Sequence, residues 1–180
     1  MTDDFMTLVQ ARYSCRDYDP DRPVEHEKLI QCLEAARLAP SACNSQPWHF
    51  TVVESREMIL KTAKCLQESG MNQFADNAGA LIVINEEPAI LKAVIAAKMD
   101  SQSYAQIDIG IAAAHICYEA ASLGLNTCIL GWLNEDRIKQ LLNIPAEKTV
   151  RLVIAVGYAR EEKHYNKKRR PMEEICDFIG

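Results

Sequence analysis

The segment "DIGIAAAHICYEAASLG", residues 108–124, decides the fold of this chain because it is apolar around almost its whole circumference. A helix with no broad solvated face is normally buried within a domain. Gly124 is placed to end this helix, since glycine readily adopts the left-handed conformation that closes many helices. We therefore predict a central buried helix over residues 108–124, with the other elements packed around it.

Four polar residues interrupt this apolar helix: Asp108, His115, Glu119 and Ser122. At about 100° per residue they form one narrow stripe. Such a stripe faces solvent, a partner subunit or a ligand, and the sequence leaves these three alternatives open. His115 and Glu119 could both ligate a metal ion, but no convincing third ligand accompanies them. The sequence therefore predicts no metal site.

Shorter helices and strands are predicted on both sides of this segment. Apolar residues at helical spacing predict amphipathic helices over residues 4–12 and 25–38, and a further helix is predicted over residues 55–68. Short apolar runs predict strands over residues 49–54, 80–84, 127–130 and 150–159. Asn134 can cap a further helix, and Pro171 can lie in the first turn of a last short one. Several helices around a few strands indicate an α+β fold, in one domain of residues 1–180.

Composition narrows the classes of protein to which the chain can belong. The formal net charge of -5 gives no overall attraction to nucleic acid. The seven cysteines are odd in number and include no Cys-x-x-Cys pair, which argues against a disulfide framework and a zinc knuckle. No secretory leader is visible, and the longest apolar runs are too short to cross a membrane. We therefore expect a soluble cytoplasmic protein.

Two short segments concentrate positive charge in this acidic chain. Within "ARYSCRDY" (11–18), Arg12 and Arg16 flank Ser14 where the first helix should end. Within "YNKKRRP" (165–171), four consecutive basic residues occupy positions 167–170. If folding brings the two segments together, they could bind a phosphate group. Taken alone, solvated surface charge is the simpler interpretation.

The segment "APSACNSQPWHF" (39–50) predicts a stiff loop, because Pro40 and Pro47 both resist helix formation. Its hydroxyl and amide side chains could hold a polar ligand, or the loop could be a plain connection. Cys43 could act as a nucleophile, but no partner histidine is identifiable, so we interpret it as an incidental thiol. The chain contains no phosphate-binding glycine motif and no Gly-x-Ser-x-Gly, and an enzyme of this kind would rely on a cofactor.

Taken in order, these segments resemble the nitroreductase family of flavin enzymes. The resemblance covers essentially the whole chain and is carried by residues 11–24, 33–53, 108–133, 153–159 and 167–175. Its most specific part is an Arg-x-Ser-x-Arg start followed by Ala-Pro-Ser and then Asn-x-Gln-Pro-Trp. The resemblance implies a three-layer α/β/α sandwich with a central, mainly antiparallel sheet. It also implies a homodimer with FMN bound at the subunit interface.

The resemblance assigns the FMN contacts to four parts of the chain. The ribityl phosphate and the pyrimidine side would be held by Arg12, Tyr13, Ser14 and Arg16. The flavin ring would be lined by Pro40, Ser41, Ala42 and Asn44, with Gln46 nearby. Leu130 and Gly131 would approach the flavin from the strand that follows the central helix, and Lys167 and Arg169 would complete the phosphate site. No protein residue is expected to act as a catalytic group, since FMN carries the chemistry.

The implied reaction is the reduction of nitroaromatics, quinones or related small electrophiles by NADH or NADPH, through ping-pong hydride transfer. Two alternatives remain: a non-catalytic flavin-binding or storage protein on the same fold, and a cofactor-free interaction module. Residues 85–107 carry no recognisable pattern, and His115 stands where an asparagine is common in relatives. The physiological electron acceptor is therefore left open.

Overall fold

The computed structural model describes residues 5–90, 101–161 and 167–180. The helices in these ranges are α1 (Phe5–Ala11), α2 (His26–Arg37), α3 (Arg56–Lys64), α4 (Ala105–Ser122) and α5 (Glu135–Leu142). The strands are β1 (Trp48–Val53), β2 (Ala80–Glu86), β3 (Asn126–Leu130) and β4 (Thr149–Gly157). Each of these elements was predicted, although α3 ends four residues earlier than expected. Where a last short helix was predicted, a single 3-10 turn at Met172–Glu174 follows Pro171.

The four strands form one sheet in the order β1-β2-β4-β3, and every neighbouring pair is antiparallel. The chain's last strand therefore lies between the second and the third. In β2, side chains are buried from Ala80 through Asn85, which confirms the strand predicted from residues 80–84. This arrangement of helices around an antiparallel sheet confirms the α+β class.

Two hydrophobic clusters lie against the sheet, and alternate residues of β2 belong to different clusters. Leu81 packs in the cluster that contains Ile59 of α3 and Ile138 of α5. Ile82 packs in the cluster that contains residues of α2 and α4, such as Ile116. Successive side chains of a strand point to opposite faces of its sheet. Helices therefore cover both faces of β2.

Helix α4 is the buried central helix that the sequence predicts, although it begins three residues earlier, at Ala105. Gly124 adopts a φ of 75°, and Leu125 N–H donates to the Ala120 carbonyl, which closes the helix as expected. Asp108 is buried, whereas Ser122 is exposed, so the polar stripe has different surroundings along its length. None of the helices in the described ranges has the length and apolar character needed to span a bilayer.

The segment after α1 runs beside β3. Cys15 N–H donates to the carbonyl oxygen of Thr127 over 2.9 Å, and Ser14 forms a parallel bridge with the same residue. The next turn of chain is fixed by Tyr18, whose buried hydroxyl donates to the Ala155 carbonyl on β4. These contacts place the first basic segment at the β3 edge of the sheet.

Candidate functional site

The two basic segments meet at the end of α1. The Lys167 ammonium donates to the carbonyl oxygens of Val9 and Gln10 over 2.6 and 2.7 Å. These oxygens belong to the last turn of α1, where helix geometry leaves carbonyls unpaired and negatively polarised. Burial, followed by the positive charges of Arg12 and Arg169, lowers the pKa of Lys167. Folding therefore brings the three cations together, and we call Arg12, Lys167 and Arg169 the cation cluster.

The residues between Arg12 and Arg16 have different surroundings. Arg12 and Ser14 are half-buried, and Tyr13 packs against the hydrophobic cluster that contains Leu81. Arg16 is exposed, and its guanidinium donates to the Ser14 carbonyl over 3.3 Å. Between described residues, no ion pair joins Arg16 or the cation cluster to a carboxylate. Among the described residues, no ion pair therefore neutralises the positive charge of Arg16 and the cation cluster.

The Pro40–Gln46 loop is tightly folded. Cys43, Asn44 and Gln46 adopt φ angles of 53°, 52° and 48°, in the left-handed region that residues other than glycine seldom occupy. Gln46 N–H donates to the Ser41 hydroxyl over 3.0 Å, which closes the loop on itself. Each such conformation costs about 1–3 kcal/mol and persists only where surrounding contacts determine it. The loop is therefore a strained, ordered structure rather than a plain connection.

A buried carboxylate on α4 holds this loop. The two carboxylate oxygens of Asp108 lie 3.2 and 3.1 Å from the Ala42 N–H. Asp108 is only 4% exposed and belongs to the first turn of α4, where the helix dipole stabilises a negative charge. The sequence identified Asp108 as part of a polar stripe but offered solvent, a partner or a ligand as its surroundings. The structure instead pairs it with the loop backbone.

Leu130 and Gly131 lie where β3 ends. Leu130 is buried in the hydrophobic core and pairs with Val153 of β4. Gly131 is exposed, and a Cβ atom built there would meet nothing within 4 Å. The Leu130 side chain therefore serves packing, while the Gly131 backbone borders open space.

The Pro40–Gln46 loop and Arg12 interact with different parts of α4. Asp108, which contacts the loop, begins the helix, whereas Cys117 lies near Arg12 and feels its charge. These two helical residues are nine positions apart, or about 13 Å along the axis. The loop and Arg12 therefore interact with different turns of the same helix.

A mainly apolar groove of about 540 Å³ lies between α1, α2 and α4. Its lining includes Phe5 and Ile107, which are each 60% exposed, and the middle of the polar stripe, His115 and Glu119. His115 lies with Nδ1 2.8 Å from the Ile111 carbonyl oxygen, within its own helix. Across the described residues, no group of three or more His, Cys, Asp or Glu is placed to hold a metal ion.

Comparison with known proteins relates this arrangement to a family. The nitroreductase family model matches residues 9–158, which is most of the chain. The chain belongs to the nitroreductase family. This confirms the resemblance to that family.

Individual nitroreductase relatives cover nearly the whole chain. A protein of Archaeoglobus fulgidus, provisionally named NADH dehydrogenase/NAD(P)H nitroreductase, is 35% identical to this chain. The match covers 89% of this chain and 88% of the relative. The solved structure of an FMN-dependent nitroreductase from Clostridium difficile is 29% identical, with a TM-score of 0.78, and covers 97% of this chain and 99% of its own. A structure from Exiguobacterium sibiricum, described as a nitroreductase in complex with FMN, has a TM-score of 0.81 at 22% identity and covers 99% of both chains. This last likeness shows the shared fold.

Proposed function

We propose that this nitroreductase-family chain is an FMN-dependent oxidoreductase that uses NADH or NADPH to reduce nitroaromatics, quinones or related electrophiles. The observation that carries the proposal is the cation cluster, which Arg12 forms with Lys167 and Arg169 from the other end of the chain. The names of the relatives, NAD(P)H nitroreductase and FMN-dependent nitroreductase, support the same assignment.

The cation cluster fits the phosphate of FMN. A phosphate monoester carries a charge of about -1.5 to -2 at neutral pH and accepts several hydrogen bonds. The two arginines offer planar, permanently charged donors, and Lys167 adds a point charge. Because neighbouring cations help to lower the pKa of Lys167, a bound dianion would stabilise its charged form. Arg16, Ser14 and the half-buried Tyr13 would complete this side of the site.

The Pro40–Gln46 loop fits the edge of a flavin ring. Ser41, Asn44 and Gln46 supply hydroxyl and amide groups, and Pro40 is exposed while Ala42 is half-buried. Leu130 and the open backbone of Gly131 would approach the flavin from β3. When bound, FMN supplies the redox chemistry by accepting a hydride from NAD(P)H and passing it to the acceptor in a ping-pong cycle. The residues of this chain orient the cofactor and shape the space above it.

We also propose that the chain works as a homodimer with FMN at the subunit interface. Asp108, which contacts the Pro40–Gln46 loop, and Cys117, which feels the charge of Arg12, are about 13 Å apart along α4, and a second copy would bring the loop of one subunit beside the cation cluster of the other. The apolar groove at Phe5 and Ile107 offers the surface for this contact. Each subunit would be a single domain of residues 1–180, with a helical layer on each side of its sheet. The seven free cysteines suit a reducing compartment, and we place the protein in the cytoplasm.

An absorbance spectrum of the purified protein, taken before and after anaerobic addition of NADH and then NADPH, tests the proposed function. We expect a flavin spectrum that bleaches much faster than free FMN, and recovery when a quinone or nitroaromatic is added. Bound flavin that stays oxidised would favour the storage alternative. A protein that stays colourless after FMN is supplied would contradict the proposal.

Paired variants connect this test to the cation cluster. The double variant Arg12→Ala/Arg169→Ala should lose FMN during gel filtration, because two of the proposed phosphate contacts are gone. The matched control is Arg37→Ala/Arg137→Ala, which removes two exposed arginines from α2 and α5. Equal FMN retention by the two double variants would overturn the phosphate assignment.

A further inference from the structure

We propose that Asp108 is a positioning residue, which holds the Pro40–Gln46 loop in its left-handed conformation and thereby sets the affinity for FMN. This inference rests on the proposed function, because it concerns the loop that would line the flavin ring. Asp108 itself lies behind that loop and is not among the residues expected to touch the cofactor. It would act through the Ala42 backbone.

The first observation is the geometry of the contact between Asp108 and Ala42. Both carboxylate oxygens of Asp108 lie within hydrogen-bond distance of one donor, the Ala42 N–H, at 3.2 and 3.1 Å. Asp108 is 4% exposed, and a buried carboxylate is stable only where hydrogen bonds or charges compensate for lost water. The link between α4 and the loop is therefore a partly buried hydrogen bond to a buried side chain.

The helix end of this contact is more rigid than the loop end. The helix therefore positions the loop, and not the reverse. Ile109 and Ala112, which follow Asp108 on α4, are fully buried in the hydrophobic core. Cys43, the residue after Ala42, has a φ of 53° and is exposed. A fixed carboxylate on a core helix can hold a strained loop, whereas the loop cannot reposition the helix. Without this contact, we expect the loop to relax toward ordinary backbone angles.

Two variants separate the effect of the hydrogen bond from the effect of the volume of the Asp108 side chain. Asp108→Asn keeps an oxygen that can accept from Ala42 N–H, in a side chain of nearly the same size. Asp108→Ala removes the acceptor and leaves the Ala42 N–H without it. A positioning role therefore predicts rescue by asparagine, while a need for the negative charge predicts that both variants fail together.

The first readout needs no cofactor. Hydrogen exchange of the Ala42 amide in FMN-free protein should be at least about tenfold faster in Asp108→Ala than in wild type, as expected for loss of the hydrogen bond. In Asp108→Asn the rate should stay within about threefold of wild type. The matched control is Asp136→Ala, which removes an exposed acidic residue from the first turn of α5. It should leave Ala42 exchange unchanged.

The second readout is FMN affinity, measured by quenching of flavin fluorescence as FMN-free protein is titrated. We expect the dissociation constant to rise about tenfold or more in Asp108→Ala and to stay within about threefold in Asp108→Asn. The visible circular dichroism of the bound flavin should change in the same order. If Asp108→Ala does not fold, Asp108→Ser replaces it, and the same comparisons decide.

Three results overturn the inference: unchanged Ala42 exchange in Asp108→Ala, faster exchange with unchanged FMN affinity, or equal loss in the alanine and asparagine variants. Failure of the proposed function looks different, because wild-type protein itself would then bind no FMN. The exchange experiment would still show whether Asp108 orders the loop. The two failures are therefore distinguishable.

Discussion

The ammonium of Lys167 lies 2.6 Å from the carbonyl oxygen of Val9, a contact between residues 158 positions apart in the chain. It fixes Lys167, which belongs to the second basic segment, against the last turn of α1. Arg12 follows this turn directly, so the contact also brings two cations within reach of one another. Such like charges repel unless an anion lies between them.

We expect inorganic phosphate to stabilise the FMN-free protein. By mass action, an anion that binds the folded cation cluster raises the melting temperature as its concentration increases. Sodium chloride at the same ionic strength should have a smaller effect, since it only screens the charges. Scanning fluorimetry of wild type and Arg12→Ala/Arg169→Ala measures the difference. An equal phosphate response in the two proteins would show that the anion binds elsewhere.

Thiol labelling gives a second prediction, because the cysteines fall into two groups. Cys43 in the Pro40–Gln46 loop and Cys176 near the C-terminus are exposed, whereas the other five are buried. Burial raises the pKa of the Cys32 thiol to about 12, which further suppresses its reaction. A thiol reagent should therefore modify two cysteines in the native protein and seven after denaturation.

Bound FMN should slow modification of Cys43 and leave Cys176 unaffected, because only Cys43 lies in the loop proposed to line the flavin. Mass spectrometry of labelled peptides, with and without FMN, measures both rates in one sample. Cys176 thus serves as the internal control. Unchanged labelling of Cys43 in FMN-saturated protein would contradict the assignment of this loop.

A charge placed in the apolar groove should separate the subunits. Wild type should have twice the 20.2 kDa mass of one chain by light scattering, and Ile107→Glu should shift it toward the monomer. A buried, unpaired carboxylate is costly to desolvate, which is the physical reason for the shift. FMN affinity should fall together with the dimer, since the site is proposed to lie between subunits. Leu60→Glu on α3 is the control, because Leu60 is exposed outside this groove.

Stability should depend on pH through an exposed ion pair. The hydrogen bond that His26 donates to the Glu54 carboxylate, followed by the negative charge of Glu54, raises the pKa of His26. Because the folded-state pKa lies above the unfolded value of about 6.5, the pair stabilises the fold fully below that pH. This contribution is lost as the pH rises through the raised folded-state pKa.

His26→Gln should therefore lower the free energy of unfolding at about pH 6 and leave it unchanged at about pH 9. The effect should be small, since both side chains are exposed, 64% for His26 and 39% for Glu54. Urea denaturation at the two pH values measures it. His49→Gln changes another exposed histidine, for which no carboxylate partner is found among the described residues, and it should not reproduce the pattern. An equal loss at both pH values would contradict the proposed pair.

Local signals in the sequence predict the elements of this fold well. Nearly continuous apolar residues identify α4 and β2, because an element that is buried on all sides needs apolar side chains on all sides. The predicted cap at Asn134 is confirmed, because its side-chain oxygen accepts a hydrogen bond from the Arg137 N–H over 3.0 Å. Helix α3 was predicted too long, since Cys65 and Leu66 continue its apolar residues although the helix has ended at Lys64. Leu66 is buried there without being helical.

Partners distant in sequence could not be predicted in the same way. Periodicity shows that Asp108 shares a face with His115, but it does not say which backbone meets that face. The loop residue that Asp108 holds is 66 positions away. From the sequence, we could say only that the two basic segments could bind a phosphate if folding brought them together. The structure brings them together at α1. The residue set of the proposed flavin site came from the family resemblance.

The position of β4 in the sheet has a consequence for synthesis on the ribosome. Because β4 lies between β2 and β3, a nascent chain that ends before residue 149 lacks the strand that joins them. One edge of β2 and the pairing edge of β3 then remain open, and open strand edges are prone to pair with other chains. The sheet can therefore form only after most of the chain has left the exit tunnel. Until then, a growing chain depends on local helices and on protection of its apolar strands.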